Sequence, residues 1–514
     1  MRVDGVADSL LPRLSEFIAE QTGLHFPPER RPDLQRGLTA AAAEFGFANS
    51  VSCADWLLST PLTRPQLHTL ASHLTVGETY FFRERKTFDA LTNHILPELI
   101  RRRRGREQRL RLWSTACSTG EEPYSLAILV QQLLPDWRDW RVTILATDIN
   151  EHSLRKAVAG VYGEWSFRDS APEFKERYFA RTPDGRFTIA PQIRDRVSFA
   201  HMNLAQDCFP ALATDTNAMD VIFCRNVLIY FTPSHARKLV ENLHHALLEE
   251  SWLAVSPSEC SQALFSGFVA VNFPGCILYR KGSIKEPRPS SWASVPTPVV
   301  ADAYAPENVR AALAVAPADF AAATDPRAAA ESLYEQGRYA ETAGTLLASF
   351  AQEAAQTAPP SSQAIQGPRT FSLLARAMAN QGQLADALVW SERWIAADKI
   401  DSAARYLHAM ILQEMGERDA ARRSLHRAVY LRPDFALAHF ALGNLARAEV
   451  RNTEANRHYA NALHLLRGCP PDELLPESDG MTTGRLAEII ATVLTLPDRP
   501  LPSQEVSSNG KGER

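Results

Sequence analysis

Arg111-Leu112-Trp113-Ser114-Thr115-Ala116-Cys117-Ser118-Thr119-Gly120-Glu121-Glu122-Pro123-Tyr124-Ser125 is the stretch on which the reading of this chain turns. An apolar run gives way to small residues, and then two acids and a proline open a helical pattern. A strand, loop and helix of that composition let the backbone approach a ligand closely at the carboxyl edge of a sheet. The glycine spacing of a dinucleotide loop, G-x-G-x-x-G, is absent. Glu121 and Glu122 suit a positively charged part of a ligand. The plain alternative is that they only cap the helix.

Outward from this stretch, short apolar runs at 109–113, 142–146, 197–200, 221–224 and 253–256 alternate with helical patterns at 124–134, 152–158 and 234–248. That alternation predicts an α/β domain: βαβ units and a mostly parallel sheet with helices on both faces. Pro183-Asp184-Gly185, between Tyr178-Phe179 and Phe187-Thr188-Ile189, predicts an inserted β-hairpin subdomain near 178–196. Asp148 ends the second strand, where an acid can accept bonds from ribose hydroxyls; it could equally cap the next helix. Met202-Asn203-Leu204 closes a strand where an adenine edge would lie. Arg225 and Asn226 follow an apolar strand directly, which points them into the crevice at the strand ends.

The flanks read differently. Residues 8–75 carry helical spacing, as in Leu10, Leu11, Leu14, Phe17 and Ile18, and form a small all-helical domain (1–78) ahead of the sheet domain (79–283). Residues 284–325 are rich in Pro, Ala and Ser and read as a linker. In 326–468, Gly382 and Gly416 stand 34 residues apart, as do Ala387, Ala421 and Ala455. That period is the signature of all-α tetratricopeptide-type repeats; an irregular helical bundle is the alternative. Residues 469–514 are Pro-rich, with a short helix near 485–494, and are expected to be largely disordered.

Composition narrows the function. A net charge of −4 and the lack of an aromatic-lined basic groove argue against a nucleic-acid partner. Seven cysteines are scattered without a C-x-x-C pair, so no metal site and no disulfide framework is expected. No run approaches the roughly 18 apolar residues needed to span a bilayer, and the opening residues lack a signal peptide's apolar core. The expected location is the cytoplasm, without membrane insertion.

The stretch 74–281 resembles the chemotaxis receptor methyltransferase family known as CheR. The resemblance is carried by Thr79-Tyr80-Phe81-Phe82-Arg83-Glu84, by Ser118-Thr119-Gly120-Glu121-Glu122-Pro123-Tyr124-Ser125, by Ala146-Thr147-Asp148-Ile149 and by the run from Phe223 to Phe231. It implies a Rossmann-like domain that binds S-adenosylmethionine, releases S-adenosylhomocysteine and esterifies glutamates on the helical cytoplasmic bundle of chemoreceptors. Carried over by position, Thr79 and Arg83 lie at the sulfonium end, and Glu122 with Glu121 faces the methionine portion. Asp148 holds the ribose, Asn203 and Leu204 flank the adenine, and Arg225 and Asn226 line the pocket. Arg83 and Tyr230 are the implied catalytic pair. Gly77 stands where the family commonly has asparagine, so one polar contact to the cofactor is missing.

The resemblance also implies an arginine-rich receptor-docking helix. Here that segment keeps only Arg30, Arg31 and Arg36. The repeats would offer a concave surface to a protein partner. Two further readings stay open: a catalytically silent scaffold acting through its repeats, and a methyltransferase for a small molecule or nucleic acid.

Overall fold

The computed structural model describes residues 6–7, 9–170, 172–282, 325–355 and 367–495. Of the expected linker, 284–324 lies outside the described residues.

Apolar residues at helical spacing build the first domain from α1 (Leu11–Thr22), α2 (Arg31–Glu44), α3 (Ser50–Ser59) and α4 (Arg64–Leu74). Leu14, Ile18, Leu34, Leu38, Cys53, Leu57 and Leu70 are fully buried between them. Gly37 lets α2 and α4 cross closely, since a Cβ there would meet the His73 carbonyl at 2.8 Å. A short helix α5 (Arg85–Ala90) runs through one π-turn into α6 (Leu96–Arg103) and leads to the sheet.

That domain is built from β1 (Arg109–Ser114), α7 (Glu121–Leu133), β2 (Arg141–Asp148), α8 (Glu151–Ala159), β3 (Val161–Tyr162), α9 (Pro172–Tyr178), β4 (Phe179–Arg181), β5 (Phe187–Ile189), α10 (Pro191–Arg194), β6 (Val197–His201), β7 (Met219–Phe223), α11 (Pro233–Ala246), β8 (Leu247–Ala254), β9 (Phe268–Phe273) and β10 (Cys276–Lys281). The main sheet has the order β6-β2-β1-β7-β8-β10-β9, parallel as far as β8. β1 and β7 are buried along their whole length, as expected of strands covered on both faces. Successive strands fall on opposite sides of β1, so a crevice opens beside its carboxyl end. The closing β9–β10 hairpin is antiparallel and was not expected; its signal is Pro274-Gly275 between two β-rich runs.

The inserted subdomain is larger than a hairpin. β3 adds to β5 and β4 as a separate three-stranded antiparallel sheet. Its aromatic residues enclose Phe81, whose ring centroid lies 5.0–5.1 Å from those of Tyr162, Phe167 and Phe179.

In the C-terminal half, helices pair antiparallel. Pro326–Glu335 pairs with Tyr339–Ala355, and three further pairs begin at Pro368, Ser402 and Ala436, 34 residues apart. The loops at Gly337, Gly382 and Gly416 pack against His245, against Arg109 and Leu248, and against Arg141. The repeats therefore sit at the amino ends of β1 and β2, away from the crevice. The seam holds an ion pair from Arg109 to Glu414 (3.1 Å) with side chains only 4 % and 5 % exposed, and Asn217 donates to the same carboxylate at 2.7 Å.

The helix expected near 485–494 is present as Thr483–Thr495, and the residues from 469 up to it, expected to be largely disordered, are ordered as well. Leu474 bridges Thr482, and the helix Thr483–Thr495 packs along the edge strand β6. Arg485 donates to the His201 carbonyl (2.7 Å) and pairs with Asp207 (2.7 Å), while Thr492 donates to Glu151 (2.8 Å). A buried arginine bonded to His201, Asp207 and Glu488 outweighs the turn-forming prolines around it. Residues 496–514 lie outside the described residues.

Removing one member of a buried ion pair leaves the other charged and unpartnered. Glu414→Ala is therefore expected to cost about 3 kcal/mol, while Arg109→Met with Glu414→Leu stays near wild type. Urea denaturation checks this: a single variant as stable as wild type would mean that the seam does not hold the two halves together.

Candidate active site

Four strand ends and one preceding loop make the site. β1 and β2 pair with Ser114 opposite Ala146, and β1 and β7 with Ser114 opposite Phe223, so their carboxyl ends finish nearly level. Beyond them lies a cavity of ≈ 200 Å³, lined by Gly77, Thr79, Arg83, Glu122, Asp148, Asn203, Leu204, Arg225, Asn226 and Tyr230. A larger cavity of ≈ 580 Å³ lies between the sheet edge and the repeats and shares, of these side chains, only Asn203, so size does not mark the reacting centre.

The loop after β1 begins the site. Ser118 adopts a left-handed backbone (φ 48°) and turns its N–H to Asp148 at 2.8 Å. Gly120 (φ +94°) must be glycine, since a Cβ would stand 2.9 Å from the Ala157 methyl of α8. Asp148 accepts a second N–H from Asn150 at 2.8 Å. Its oxygens keep lone pairs for the cavity, and burial pushes its carboxyl up to about 6.

At the floor, the Arg225 side chain is 1 % exposed. It pairs with Glu122 (2.9 Å) and Glu84 (3.0 Å) and donates to the Arg83 carbonyl at 2.5 Å. Ser114 donates to Glu122 at 2.7 Å. One guanidinium between two carboxylates leaves this cluster with one net negative charge, which suits a cationic ammonium. Glu121 departs from expectation. Its carboxylate turns from the cavity to Thr119 (2.6 Å) and Ser166 (2.9 Å), tying α7 to the inserted subdomain.

Arg83 lies in a loop in which Phe82 (φ 58°) and Glu84 (φ 59°) are both left-handed. Such residues persist only where their surroundings over-determine them. Here Phe81 is locked in the aromatic cluster, and the Phe82 N–H meets Ser125 at 3.0 Å. Arg83 itself donates to the Glu78 carbonyl at 2.6 Å. Gly77 accepts from the Ser118 hydroxyl at 3.1 Å. Tyr230 packs against the helical domain under the Arg30 guanidinium, 4.5 Å away, so Arg30 is committed to this junction. Asn203 bridges outward as well, donating to the Gln21 carbonyl of α1 at 3.0 Å.

Sequence reasoning missed Glu259. Its carboxylate accepts the backbone N–H groups of Asn226 (2.8 Å), Val227 (2.6 Å) and Leu228 (2.8 Å), and those of Ser256 through its N–H and hydroxyl. The signal was Ser256-Pro257-Ser258-Glu259, a capping box. Asp207 was missed too. It accepts the Asn203 N–H at 2.6 Å while paired to Arg485, and no local motif announces a partner so distant in sequence. His68, Glu151 and His201 bring possible metal-ligating atoms within 4.8 Å of one another. Both His201 nitrogens are already engaged, by the Ile149 carbonyl and by Arg485.

Residues 77–266 match the family model described as "CheR methyltransferase, SAM binding domain". The chain is 31 % identical over 251 residues to a chemotaxis protein methyltransferase of Borreliella burgdorferi, covering 48 % of this chain and 87 % of the relative. It is 37 % identical over 212 residues to chemotaxis protein methyltransferase 1 of Pseudomonas aeruginosa, covering 40 % and 74 %. A longer similarity, 29 % over 389 residues, links it to the probable biofilm formation methyltransferase WspC of the same organism, covering 75 % of this chain and 83 % of that one.

Glu259→Gln places an amide against N–H donors and removes the charge that gathers them. A cost of about 1.4 kcal/mol, or about tenfold weaker binding of S-adenosylhomocysteine, is expected. Calorimetric titration checks it, and unchanged affinity would show that the 226–229 turn holds without this carboxylate.

Proposed function

We propose, given that the chain belongs to the CheR family of chemotaxis protein methyltransferases and is S-adenosylmethionine-dependent, that it esterifies glutamate side chains on the cytoplasmic helical bundle of chemoreceptors. The observation that carries the reading is the cavity at the carboxyl ends of the strands, which gathers Asp148, Glu122, Arg225, Asn203 and Leu204 against the Gly77–Arg83 loop. The residues fit the cofactor. Asp148 would hold the ribose, Leu204 and Asn203 the adenine, and the negative Glu122–Arg225–Glu84 cluster the methionine ammonium. When bound, the cofactor supplies a methyl group already activated on a sulfonium.

The chain's own contribution is alignment. A glutamate carboxylate, with a reference pKa of about 4.3, is ionised at neutral pH, so no general base is needed. Arg83, with one N–H held by Glu78, keeps others for the incoming carboxylate. Because negative charge is lost on the way to the ester, Arg83 positions the anion rather than binding it tightly. Tyr230 shapes the mouth against the helical domain. Retention of this lining argues against the silent-scaffold reading. We place the protein in the cytoplasm; among the described residues no helix is long and apolar enough to cross a membrane. We read the C-terminal helix pairs as tetratricopeptide-type repeats that bind a protein partner.

Several of the arginines that could serve receptor docking are already paired within the chain. Arg36 pairs with Asp33 (2.5 Å), and in the 101–104 run Arg101 and Arg102 pair with Glu98, Arg103 with Asp220 and Arg104 with Asp136.

The direct test incubates the full chain with methyl-tritiated cofactor and purified receptor cytoplasmic fragments. Base-labile methyl esters that disappear when the receptor glutamates are changed to glutamine support the reading, and label absent from every fragment overturns it. Arg83→Ala is expected to lower kcat about 100-fold while leaving S-adenosylhomocysteine affinity little changed.

Ribose hydroxyls would donate to the ionised Asp148, so a proton competes with the cofactor. Affinity is therefore expected to be full above pH 7 and to fall as pH drops through about 6, the carboxyl's value in the free protein. Asp148→Asn should bind weakly and lose that pH dependence. A wild-type affinity flat from pH 7.5 to 5 would remove Asp148 from the ribose.

A further inference from the structure

The mouth of the ≈ 200 Å³ cavity carries apolar side chains that face water. Val76 is 58 % exposed and Ile229 49 %, and both line the cavity. They come from separate segments, the loop between α4 and α5 and the turn after β7, so their meeting at one opening is not a matter of sequence neighbourhood. Single apolar residues on a surface are ordinary. Trp165 is not, being 70 % exposed, since an indole that open leaves a large apolar area in water. One guanidinium ties it to the mouth. Arg168 lies 4.5 Å from the Trp165 ring and pairs with Glu78 at 2.9 Å, and Glu78 also lines the cavity.

Trp165 stands on a rigid mount. The next residue, Ser166, accepts the Phe81 N–H at its carbonyl (3.0 Å), and the Phe167 ring stacks on Phe81 with centroids 5.1 Å apart. Arg168 donates to the Trp165 carbonyl at 2.9 Å and sits 3.8 Å from the Tyr80 ring. Phe81 is the residue that locks the Arg83 loop, so the exposed indole and the reacting-end arginine share one support. An anchor already held in place loses little entropy on contact.

We propose that Trp165, Val76 and Ile229 form the seat for the substrate helix, with Trp165 as its anchor. The proposal rests on the esterification reading and says how that site chooses its glutamates. Val76 and Ile229 receive apolar side chains three and four positions from the glutamate to be esterified. In a helix those positions share a face with the glutamate, about 5–6 Å from it. They can therefore rest on the rim while the carboxylate enters toward Arg83. Separate apolar points around the polar Glu78–Thr79 stretch suit such a helix face, whose anchors recur at helical spacing. The seat supplies by apolar contact what the paired arginines at 36 and 101–104 do not supply by charge.

The test follows methyl transfer by the full chain to purified receptor cytoplasmic fragments over a range of fragment concentrations. Trp165→Ala should raise KM for the fragment at least tenfold, with kcat and S-adenosylhomocysteine affinity within twofold of wild type. Val76→Ser with Ile229→Ser should raise KM as well. Serine in place of the fragment's apolar residues three and four positions from the methylated glutamate should raise KM for wild type. It should add nothing further for the Val76–Ile229 double variant, a coupling that a merely structural role does not produce. A wild-type KM kept by Trp165→Ala, or simple additivity in the second comparison, overturns the seat and leaves esterification standing. Label absent from wild type with every fragment overturns esterification, and the seat with it. Should a variant fail to fold, hydroxyl-radical footprinting of wild type decides. Saturating fragment should slow oxidation of Trp165 at least fivefold, and an unchanged rate overturns the proposal.

Discussion

A guanidinium taken out of water must be answered on every side, and the answer given to Arg225 organises the catalytic end of this molecule. Its two carboxylates come from different segments, Glu84 from the loop ahead of the sheet and Glu122 from the first turn of α7, and a third bond reaches the Arg83 carbonyl. Breaking a buried pair of this kind costs several kcal/mol, because the remaining charge has nowhere to go. Three elements distant in sequence are thereby held at one point. The left-handed turns at Phe82, Glu84 and Asn226 are tolerable because the surrounding bonds permit no other arrangement.

The same logic recurs with the sign reversed at Glu259, where one carboxylate collects backbone N–H groups from the turn after β7 and from Ser256. A cation fixes the side-chain floor and an anion fixes the backbone wall. Between them the cavity keeps its shape before any ligand arrives, which is how alignment can replace acid–base chemistry in a reaction whose donor and acceptor are both already activated.

Much of this was legible in the chain. Alternating apolar runs and helical patterns announced the parallel sheet, and the polar residues that end β2, β6 and β7 announced the cavity. Part of what escaped notice comes from long-range pairing. Glu121 and Glu122 are neighbours of equal type, yet one faces Arg225 and the other Ser166, because α7 turns by about 100° per residue and only one of them can face inward. The ordered segment after Gly468 reads as a Pro-rich tail by composition. It folds because Arg376 and Arg485, which local patterns leave unassigned, hold it from two sides. β9 and β10 were overlooked although their turn was visible, since an antiparallel edge breaks the alternation on which the reading relied.

The turn that follows β6 is gripped from two directions: by the carbonyls of Glu20 and Gln21 in α1, which accept from Gln206 and Asn203, and by Arg485 through Asp207. Translation delivers those two grips at opposite times. A nascent chain can fold its helical domain and its sheet while this turn is still held on one flank only. The second grip is made only once the Thr483–Thr495 helix has left the ribosome and closed over β6. The last grip on this turn is thus supplied only when synthesis of the repeats is complete, so a prematurely terminated product would lack the Arg485–Asp207 pair as well as the helix pairs themselves.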